Sequence, residues 1–415
     1  MQRHQGLAAS FAAAAMLAWS VGAASATSFG TIYNFASDAG DANTPYAGLV
    51  IDAAGRLYGA TYGGGAFGDG AVYRLAPADP TGTVWTKTIL YSFRGGRDGA
   101  KPTGRLTFGP HGELFGTTST GGSGHGTVFE LTPPGPDGGT WTASVLHSFS
   151  GAAGEGAMPA AGLAIDGSGT LFGTTYEGGA GTQDGPGYGT VFSLAPPDAP
   201  GGSWREAVLY QFSGAAHDGV GPQSDLLIGP GGALYGTTTG CGSRLACAGT
   251  VFRLAREGAG WAETVILALT GNGDAGAGPN RELAMDSAGA LYGTTGAGTA
   301  FRLAPPGAGS THWQHTVLAR FKPESSGGPQ GGVVLAAGGV LYGTLAYGPH
   351  KSGGSIYALA QAGSAGWSVA TLYRFGRGGP VFPVGSLVAD ASGALYGVTE
   401  IGGAGGMGTV FRVVP

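Results

Sequence analysis

A tripeptide of leucine, an aromatic residue and glycine occurs seven times along this chain and constrains its fold more than any other feature. Consecutive copies lie 50 to 63 residues apart, and five of them continue with threonine. The seven copies are 57–59, 114–116, 171–173, 234–236, 291–293, 341–343 and 395–397. A tandem repeat of this period indicates a solenoid, a propeller or a linear array of similar units.

The unit around Gly116 shows what each copy contains. Clusters of glycine and proline at 110–112, 119–126 and 133–139 separate four short runs with β-strand character. The four runs are 104–109, 113–118, 127–131 and 141–149. No stretch of the unit carries the 3.6-residue period of an amphipathic helix, so the sequence predicts four strands per unit.

The strand that carries the tripeptide, here called the signature strand, contains a glycine that needs a physical reason, because glycine weakens a strand. We expect an aromatic side chain of a neighbouring sheet to pack over this glycine. The leucine and the aromatic residue point to opposite faces, so both faces of the sheet are covered. The sequence therefore predicts an all-β fold, a seven-bladed β-propeller with four antiparallel strands per blade. A right-handed β-solenoid is the competing architecture, but its repeats are shorter.

The two ends of the repeat region complement each other. Residues 29–35 match the fourth-strand pattern without its tryptophan, and the chain ends on a third strand at 409–413. Pairing of 28–35 with 409–413 closes the seventh blade and removes two open sheet edges. We therefore predict a single propeller domain over 27–415.

Residues 1–26 have the features of a secretion leader. Arg3 and His4 form a short basic start, an apolar stretch covers 7–21, and 24–26 supplies small residues for cleavage. No later run is apolar and long enough to span a membrane. We therefore expect a monomeric protein that is secreted, extracellular or periplasmic, without a membrane span and beginning near Thr27.

Composition excludes several classes of protein. Glycine accounts for 87 of 415 residues, but 42% of the chain is hydrophobic and 10% aromatic, which is too apolar for a disordered chain. Only 11% of the residues are charged and the formal net charge is −5. This balance argues against nucleic acid or an anionic membrane as partner.

The full pattern of the unit resembles a known family. Leu-Tyr/Phe-Gly-Thr-Thr, then Gly-Gly, then Gly-Thr-Val-Phe-x-Leu is similar to the GloVer tandem repeat of bacterial exported proteins, over essentially the whole chain after the leader. The resemblance implies export. It implies no established activity, and no functional residue is transferred from it.

Acidic residues recur in the links between one unit and the next, a few residues before a proline. They are Asp41, Asp98, Glu155, Asp218 and Asp274. Carboxylates around a channel mouth are suited to a cation such as Ca²⁺ or to the hydroxyl groups of a sugar. The alternative is that each acid caps its own tight turn, and no other cofactor is expected.

Aromatic residues in the Gly-rich loops after the signature strands are a second candidate set. Tyr62 and Tyr176 are the main candidates, with Phe67, Tyr188 and Tyr347 in similar places. Exposed aromatic faces are suited to sugar stacking or to a protein interface. The alternative is that they pack at the roots of the loops.

Cys241 and Cys247 are the two cysteines of the sequence, and both lie in the loop after the fourth signature strand. An even number in an exported protein favours a disulfide. A metal site needs more ligands, and a redox pair normally has two intervening residues rather than five. The sequence therefore predicts a Cys241–Cys247 disulfide.

Three functions remain compatible with these features. The leading hypothesis is a non-enzymatic binding or scaffold module for extracellular glycan or protein, acting through the loop-bearing face. A hydrolase or lyase that acts on saccharides with channel-mouth carboxylates is the rival, and a repetitive envelope or matrix component without a discrete ligand is the third. An enzyme requires unique polar residues that converge from several blades, whereas the polar positions recognised here mostly repeat.

Overall fold

Each copy of the repeat folds into an antiparallel sheet, and the sheets surround a central channel as the blades of a seven-bladed β-propeller. The computed structural model describes residues 27–415 apart from 39, 80–81, 181–186, 200, 216–217, 242–246, 272–276, 322–327, 347–352, 364–365 and 377. The leader predicted at 1–26 lies outside the described residues. In the described part of the chain, no helix is both long and apolar enough to cross a membrane. The predicted fold class is confirmed.

The blades follow one another along the chain. The N-terminal strand and the strands of blades 1 to 3 are β1 (Ser28–Asn34), β2 (Ala42–Pro45), β3 (Val50–Ile51), β4 (Leu57–Gly64), β5 (Ala71–Pro77), β6 (Trp85–Ser92), β7 (Thr107–Phe108), β8 (Leu114–Thr118), β9 (Thr127–Thr132), β10 (Thr142–Ser148), β11 (Gly156–Ala157), β12 (Ala164–Ile165), β13 (Leu171–Thr175), β14 (Glu177–Gly178), β15 (Thr190–Ala195) and β16 (Arg205–Gln211). The strands of blades 4 to 7 are β17 (Gly219–Pro222), β18 (Leu227–Ile228), β19 (Leu234–Cys241), β20 (Thr250–Glu257), β21 (Gly260–Ala268), β22 (Ala284–Met285), β23 (Leu291–Thr295), β24 (Thr299–Ala304), β25 (Gln314–Arg320), β26 (Val334–Leu335), β27 (Leu341–Leu345), β28 (Ser355–Gln361), β29 (Trp367–Arg374), β30 (Val381–Ala389), β31 (Leu395–Ile401) and β32 (Thr409–Val414). Short 3-10 helices lie in the connections at Gly96–Asp98, Pro230–Gly232 and Ala337–Gly339.

In the main sheets of blades 1 to 6 the strands run outward from the channel in chain order, and in blade 7 β30, β31 and β32 are followed by β1. The blades are blade 1 (β2–β6), blade 2 (β7–β10), blade 3 (β11–β16), blade 4 (β17–β21), blade 5 (β22–β25), blade 6 (β26–β29) and blade 7 (β30–β32 with β1). In blade 2 both ends of the second, third and fourth strands lie within one residue of the ends of the predicted runs. The first is much shorter, because only Thr107–Phe108 pairs with the signature strand. The residues before it leave the sheet to line the channel.

The signature glycine makes room for an aromatic ring. A Cβ atom on Gly116 would lie 2.5 Å from Cζ of Phe129, and one on Gly173 would lie 2.6 Å from Cζ of Phe192. Phe129 is the residue directly opposite Gly116 on the third strand of the same blade. The predicted close approach is confirmed, but the expectation that the ring comes from a neighbouring sheet was wrong. The register of the blade brings the ring from the adjacent strand.

The signature aromatic residue holds neighbouring blades together. Tyr58 packs edge-on against Trp141 of the following blade, with 6.4 Å between ring centroids. The equivalent pairs are Phe115–Trp204, Phe172–Trp261, Tyr235–Trp313, Tyr292–Trp367 and Tyr396–Trp85. The tripeptide and the fourth-strand tryptophan therefore form one repeated contact between blades.

The first threonine after the signature glycine also links blades. The Thr117 hydroxyl donates to the main-chain carbonyl of Ala161 in the next blade, at 2.8 Å. The equivalent bonds run from Thr174 to Ser224, from Thr237 to Asn280 and from Thr294 to Gly331. Ala60 and Val398 take this position in blades 1 and 7, and Oγ1 of Thr344 in blade 6 is buried without a hydrogen-bond partner. These side-chain bonds therefore join blades 2 to 6 in succession.

The second threonine acts inside its own blade. Oγ1 of Thr118 and Oγ1 of Thr127 lie 2.8 Å apart, and Thr118 also accepts from the main-chain N–H of Thr127. The same hydroxyl pair occurs as Thr175–Thr190, Thr238–Thr250, Thr295–Thr299 and Thr399–Thr409. Each pair satisfies two buried hydroxyl groups where the signature strand meets the third strand.

The N-terminal strand completes blade 7. β1 pairs antiparallel with β32, with Ser28 opposite Val414 and Asn34 opposite Thr409. The sheet order is β1-β32-β31-β30, so the first described strand is the outermost strand of the last blade. This is the pairing that the sequence predicts, and it joins the two ends of the chain in one sheet.

Two blades carry tyrosine where the others have phenylalanine opposite the signature glycine. Tyr73 and Tyr357 are almost completely buried, and neither hydroxyl has a hydrogen-bond partner. Tyr73→Phe and Tyr357→Phe are each expected to stabilise the protein by about 1 kcal/mol, because a buried hydroxyl without a partner costs free energy. Thermal and urea unfolding measure the change. Phe129→Tyr, the reverse change in blade 2, should destabilise, and unchanged stability in all three variants would contradict the interpretation.

Cys241 and Cys247 form a disulfide, with their Cα atoms 5.7 Å apart. The residues between them lie outside the described part of the chain. Replacing both cysteines with serine is expected to lower the free energy of unfolding by about 2–3 kcal/mol on the chain-entropy estimate. Amide hydrogen exchange should show faster exchange confined to this hairpin, since the crosslink does not join blades. Two titratable thiols in the native protein would contradict the pairing.

Candidate functional site

In every blade, three residues between a proline and a buried leucine or valine lie beside the channel, and in blades 1 to 6 they lie outside the strands. The prolines are Pro45, Pro102, Pro159, Pro222, Pro279, Pro329 and Pro383. We call the three residues after each proline the channel segment. The third residues of the segments are Gly48, Arg105, Gly162, Asp225, Glu282, Gly332 and Ser386. This position differs among the blades although its surroundings repeat.

The channel segments of all seven blades surround a cavity of about 200 Å³, here called the channel pocket. Thr239 and Pro279 also line it, which places the pocket at the end of the channel nearest the Gly-rich loops. The links and the Gly-rich loops share this face, as shown by the pairing of Ala42 with Gly64 and of Gly219 with Cys241. The acidic links and the Gly-rich loops therefore lie on one face of the propeller.

Arg105 of blade 2 reaches across the pocket to blade 4. Its Nε donates to Oδ2 of Asp225 at 3.3 Å. Oδ1 of Asp225 accepts from the main-chain N–H of Gly162 in blade 3 at 2.6 Å, and the N–H of Asp225 donates to the carbonyl of Arg281 in blade 5. A side chain at position 162 would crowd both Arg105 and Asp225. Asp225 thus connects four blades, blades 2, 3 and 4 through its carboxylate and blade 5 through its main-chain N–H.

Glu282 adds a second carboxylate to the same cluster. Burial lowers the pKa of the Arg105 guanidinium, but the charges of Glu282 and Asp225 outweigh this and raise it. Burial raises the pKa of Glu282 above its usual range, against the opposing charge of Arg105 and the main-chain N–H of Ser386. The pocket therefore holds a carboxyl group that takes up a proton more readily than an exposed one.

A second guanidinium group and several uncharged donors and acceptors complete the lining. The guanidinium of Arg281 lies 5.4 Å from the ring centroid of Tyr46 in blade 1. The side-chain NH₂ of Asn280 donates to Oγ1 of Thr294 and to the carbonyl of Pro329, and Gln223 and Gln330 also face the pocket. Two guanidinium groups, two carboxyl groups and several amides favour a small polar ligand, one with many hydroxyl groups, over an apolar one.

Four of the five acids predicted as a ligand set engage the turn that follows a fourth strand. Oδ1 of Asp98 accepts from the hydroxyl of Tyr91 at 2.6 Å, and its Oδ2 accepts from the N–H of Arg94 at 2.9 Å. The others bind similar partners: Asp41 with Tyr33, Ala36 and Lys87, Glu155 with His147 and Ser150, and Asp218 with Tyr210 and Ser213. Asp274 lies outside the described residues.

The turn-cap alternative accounts for these hydrogen bonds. None of the four described acids lines the channel pocket. Among the described residues, no three His, Cys, Asp or Glu side chains are grouped so that they could hold a metal ion. Ligand or Ca²⁺ binding by Asp41, Asp98, Glu155 and Asp218 stays a prediction.

The carboxyl group of Glu263, which is partly buried near the turn acid Asp218, should make the stability of the protein depend on pH. Burial, reinforced by the charge of Asp218, raises the pKa of Glu263 to about 7, and Oε1 of Glu263 has no hydrogen-bond partner. A raised folded-state pKa means that the folded protein binds the proton more tightly, so stability falls as pH rises from about 4.5 to 7. We expect a loss of about 1–2 kcal/mol after allowing for solvent screening of this partly exposed group.

Glu263→Gln should remove most of that pH dependence, as measured by thermal unfolding between pH 4 and 8. Glu257→Gln, at an exposed position on the neighbouring strand, is the matched control and should behave like the parent protein. Equal slopes for the parent and Glu263→Gln would show that Glu263 is not the titrating group.

The predicted aromatic residues have different environments. Tyr62 is 39% exposed, and Phe67 is 53% exposed at the tip of its loop. Tyr176 is half-buried, and a side chain on Gly221 of the next blade would meet its ring. Tyr188 packs in the same way over Gly214, and Tyr347 lies outside the described residues. The packing alternative therefore applies to Tyr176 and Tyr188, whereas Tyr62 and Phe67 are free to contact a partner.

Several solved β-propeller structures are similar to this chain. A candidate 6-phosphogluconolactonase from Bacteroides uniformis is 16% identical, with 79% of this chain and 84% of that one aligned and a TM-score of 0.49. A Carbohydrate-Active Enzymes Family AA12 protein from Trichoderma reesei is 13% identical over 94% and 96% of the two chains, with a TM-score of 0.45. A puromycin-hydrolysing peptidase from Mycobacterium tuberculosis is 13% identical over 92% of this chain and 55% of its own, with a TM-score of 0.50. At such low identity the likeness to the peptidase shows the fold alone, and the other two, with TM-scores under 0.5, carry no conclusion.

The repeat itself has a family match. The Gloeobacter/Verrucomicrobia repeat matches residues 21–183 and again 123–304, which together cover more than half of the chain. No curated protein sequence matches this chain. The match confirms the resemblance carried by the tripeptide and by the Gly-Thr-Val-Phe-x-Leu strand. The chain belongs to the Gloeobacter/Verrucomicrobia repeat family.

Proposed function

We propose that this protein is a secreted binding module that holds a hydroxyl-rich saccharide in the channel pocket at the Gly-rich loop face. The observation that carries the proposal is the set of charged residues that occurs once each around the ring. Arg105, Asp225 and Glu282 stand where the other blades have glycine or serine. A residue needed only for the repeat would recur in every blade, and these three do not, which supports a role in binding besides the contacts that they make between blades.

The chemistry of the pocket supports a saccharide. Sugar hydroxyl groups both donate and accept, and the lining offers guanidinium donors, carboxylate acceptors and amides that do both. The positive and negative groups balance, which favours a neutral ligand over a highly charged one. A cavity of about 200 Å³ is suited to one or two sugar units rather than to a protein segment.

A saccharide screen on the mature protein tests the proposal. Glu282→Gln keeps the shape of the side chain and removes its charge, and we expect it to weaken binding at least 10-fold, since a hydrogen bond to a charged group contributes about 1.5–3 kcal/mol. Glu257→Gln, an exposed exchange of the same kind on β20, should bind like the parent. Absence of binding to every saccharide would overturn the proposal and favour a matrix component or a protein partner.

The same carboxyl groups favour one second candidate, a saccharide hydrolase or lyase. Asp225 and Glu282 come from adjacent blades into one pocket, and burial raises the pKa of Glu282, as a general acid near neutral pH requires. Release of new reducing or unsaturated ends during the screen would support catalysis. In that case Glu282→Gln should abolish release with only a small change in binding, whereas a pure binding module releases nothing.

A further inference from the structure

The exposed aromatic rings of the Gly-rich loop face lie together and next to basic side chains. Among the phenylalanine, tyrosine and tryptophan residues that the structure describes, Tyr62 and Phe67 are the exposed ones. Nζ of Lys101 lies 5.4 Å from the ring centroid of Tyr62, and Cζ of Arg94 lies 5.1 Å from that of Phe67. Arg97, exposed in the 3-10 helix between the two cations, completes the group. We call these five residues the basic-aromatic patch.

The patch is a departure from the repeat. The link from blade 1 to blade 2 places Arg94, Arg97 and Lys101 within eight residues, whereas the same links at 150–158 and 213–221 contain no lysine or arginine. The chain as a whole has 20 basic and 25 acidic residues. The turn itself is held by Asp98 through Tyr91 and the N–H of Arg94. The three basic side chains are therefore not needed to form the link.

The surroundings of the rings indicate the kind of partner. Both rings rise from glycine-rich backbone, at 63–65 and 68 on one side and 95–96 on the other. The centre of a protein interface is a packed apolar area. Among the described residues, neither the loop at 62–70 nor the link at 93–101 exposes a further large apolar side chain. Isolated rings that are open on one face are suited to stacking against a pyranose. Adjacent ammonium and guanidinium groups are suited to a carboxylate.

We propose that the basic-aromatic patch binds an acidic polysaccharide, with a uronic acid residue stacked on Phe67 or Tyr62 and its carboxylate paired with Arg94 or Lys101. Arg97 then contacts a neighbouring acidic unit of the same polymer. The patch lies on the links and loops of blades 1 and 2 and shares no residue with the charged cluster of the channel pocket. The proposal therefore holds whether or not the pocket binds a sugar.

Affinity electrophoresis in gels that contain polygalacturonate tests the proposal, with dextran as the neutral polymer and polyglutamate as a polyanion without sugar rings. We expect polygalacturonate to retard the parent protein and added salt to weaken that retardation. Any retardation by dextran should be the same for the parent and for variants of the patch. Phe67→Ala and Arg94→Ala should each weaken binding at least 5-fold. Both residues are exposed, so the variants should fold, and a thermal melt verifies this.

Arg256→Ala is the matched control. The Arg256 guanidinium stacks 4.5 Å from the ring of Trp261 on the outer strands of blade 4, so the variant removes a similar contact outside the patch. It should bind polygalacturonate like the parent. Parent-like binding by both Phe67→Ala and Arg94→Ala would overturn the proposal. Equal retardation by polyglutamate would also overturn it, because charge alone would then explain the binding.

Discussion

Removal of residues 27–36 is expected to abolish the stable closed ring. These residues contain β1, the outer strand of blade 7, and Phe35, which is fully buried. The ring of Phe29 stacks on that of Tyr373 in blade 6, with 3.8 Å between ring centroids. The ring of Phe35 packs edge-on against that of Tyr73 in blade 1, with 5.1 Å between ring centroids. Loss of one buried phenylalanine costs about 3–5 kcal/mol. The whole deletion therefore removes a large share of the roughly 5–15 kcal/mol that is typical for a folded domain.

Size-exclusion chromatography and thermal unfolding measure the effect of the deletion. The exposed edge of β32 should promote aggregation, because an unpaired edge strand is a template for other strands. A synthetic peptide of residues 27–36 should restore part of the stability when added in excess, since it supplies the missing strand in trans. A truncated protein that stays monomeric with an unchanged melting temperature would show that the ring does not need this closure.

Replacement of a signature glycine with alanine should be nearly as damaging. A Cβ atom on Gly173 would lie 2.6 Å from Cζ of Phe192 and 2.8 Å from Cδ2 of Leu163. Phe192 cannot retreat, because it is fully buried and packs edge-on against Phe149. Overpacking of a rigid core usually costs about 1–3 kcal/mol, and this double clash places Gly173→Ala at about 3 kcal/mol or more.

A glycine-to-alanine exchange at an uncrowded strand position separates the effect of this clash from a general effect of alanine. Gly30 lies in β1 without a positive φ, and nothing lies within 4 Å of the place that an alanine methyl group would take there. Gly30→Ala should therefore leave stability unchanged or slightly raised. Adding Phe192→Leu to Gly173→Ala should recover part of the loss, because the smaller side chain vacates the space. Urea unfolding of the four proteins decides the matter, and a Gly173→Ala protein as stable as Gly30→Ala would contradict the account.

The sequence predicted the ring because the tripeptide repeats a physical contact. Leucine enters the core, the aromatic residue packs on the tryptophan of the next blade, and glycine admits a ring, so each copy marks the same place in a blade. The partner of that glycine could not be predicted, since Phe129 faces Gly116 only through a register that periodicity does not specify. The first strand was overestimated for a related reason. Residues 104–106 alternate like a strand, but 104 and 105 curve away to line the channel and Leu106 packs in the core.

The candidate site was not found from the sequence because the search followed repeated residues. Asp98 and its equivalents repeat because each holds a turn. Arg105, Asp225 and Glu282 were overlooked because each occurs once, at a position that is glycine or serine in the other blades. Alignment of the seven segments after the prolines reveals all three. Which residues face one another across the channel still depends on the closed ring, which brings blades 2, 4 and 5 together.

The threonine bonds between blades also predict how the ring yields under load. They join blades 2 to 6 in series, but Ala60, Val398 and the unpartnered Thr344 leave the arc through blades 6, 7, 1 and 2 without them. That arc should therefore be the mechanically weakest part of the ring, and it also contains the sheet in which the two ends of the chain pair. When the protein is pulled from its termini, the contacts between the blades of this arc should break first, while blades 3 to 5 remain folded as a cooperative block.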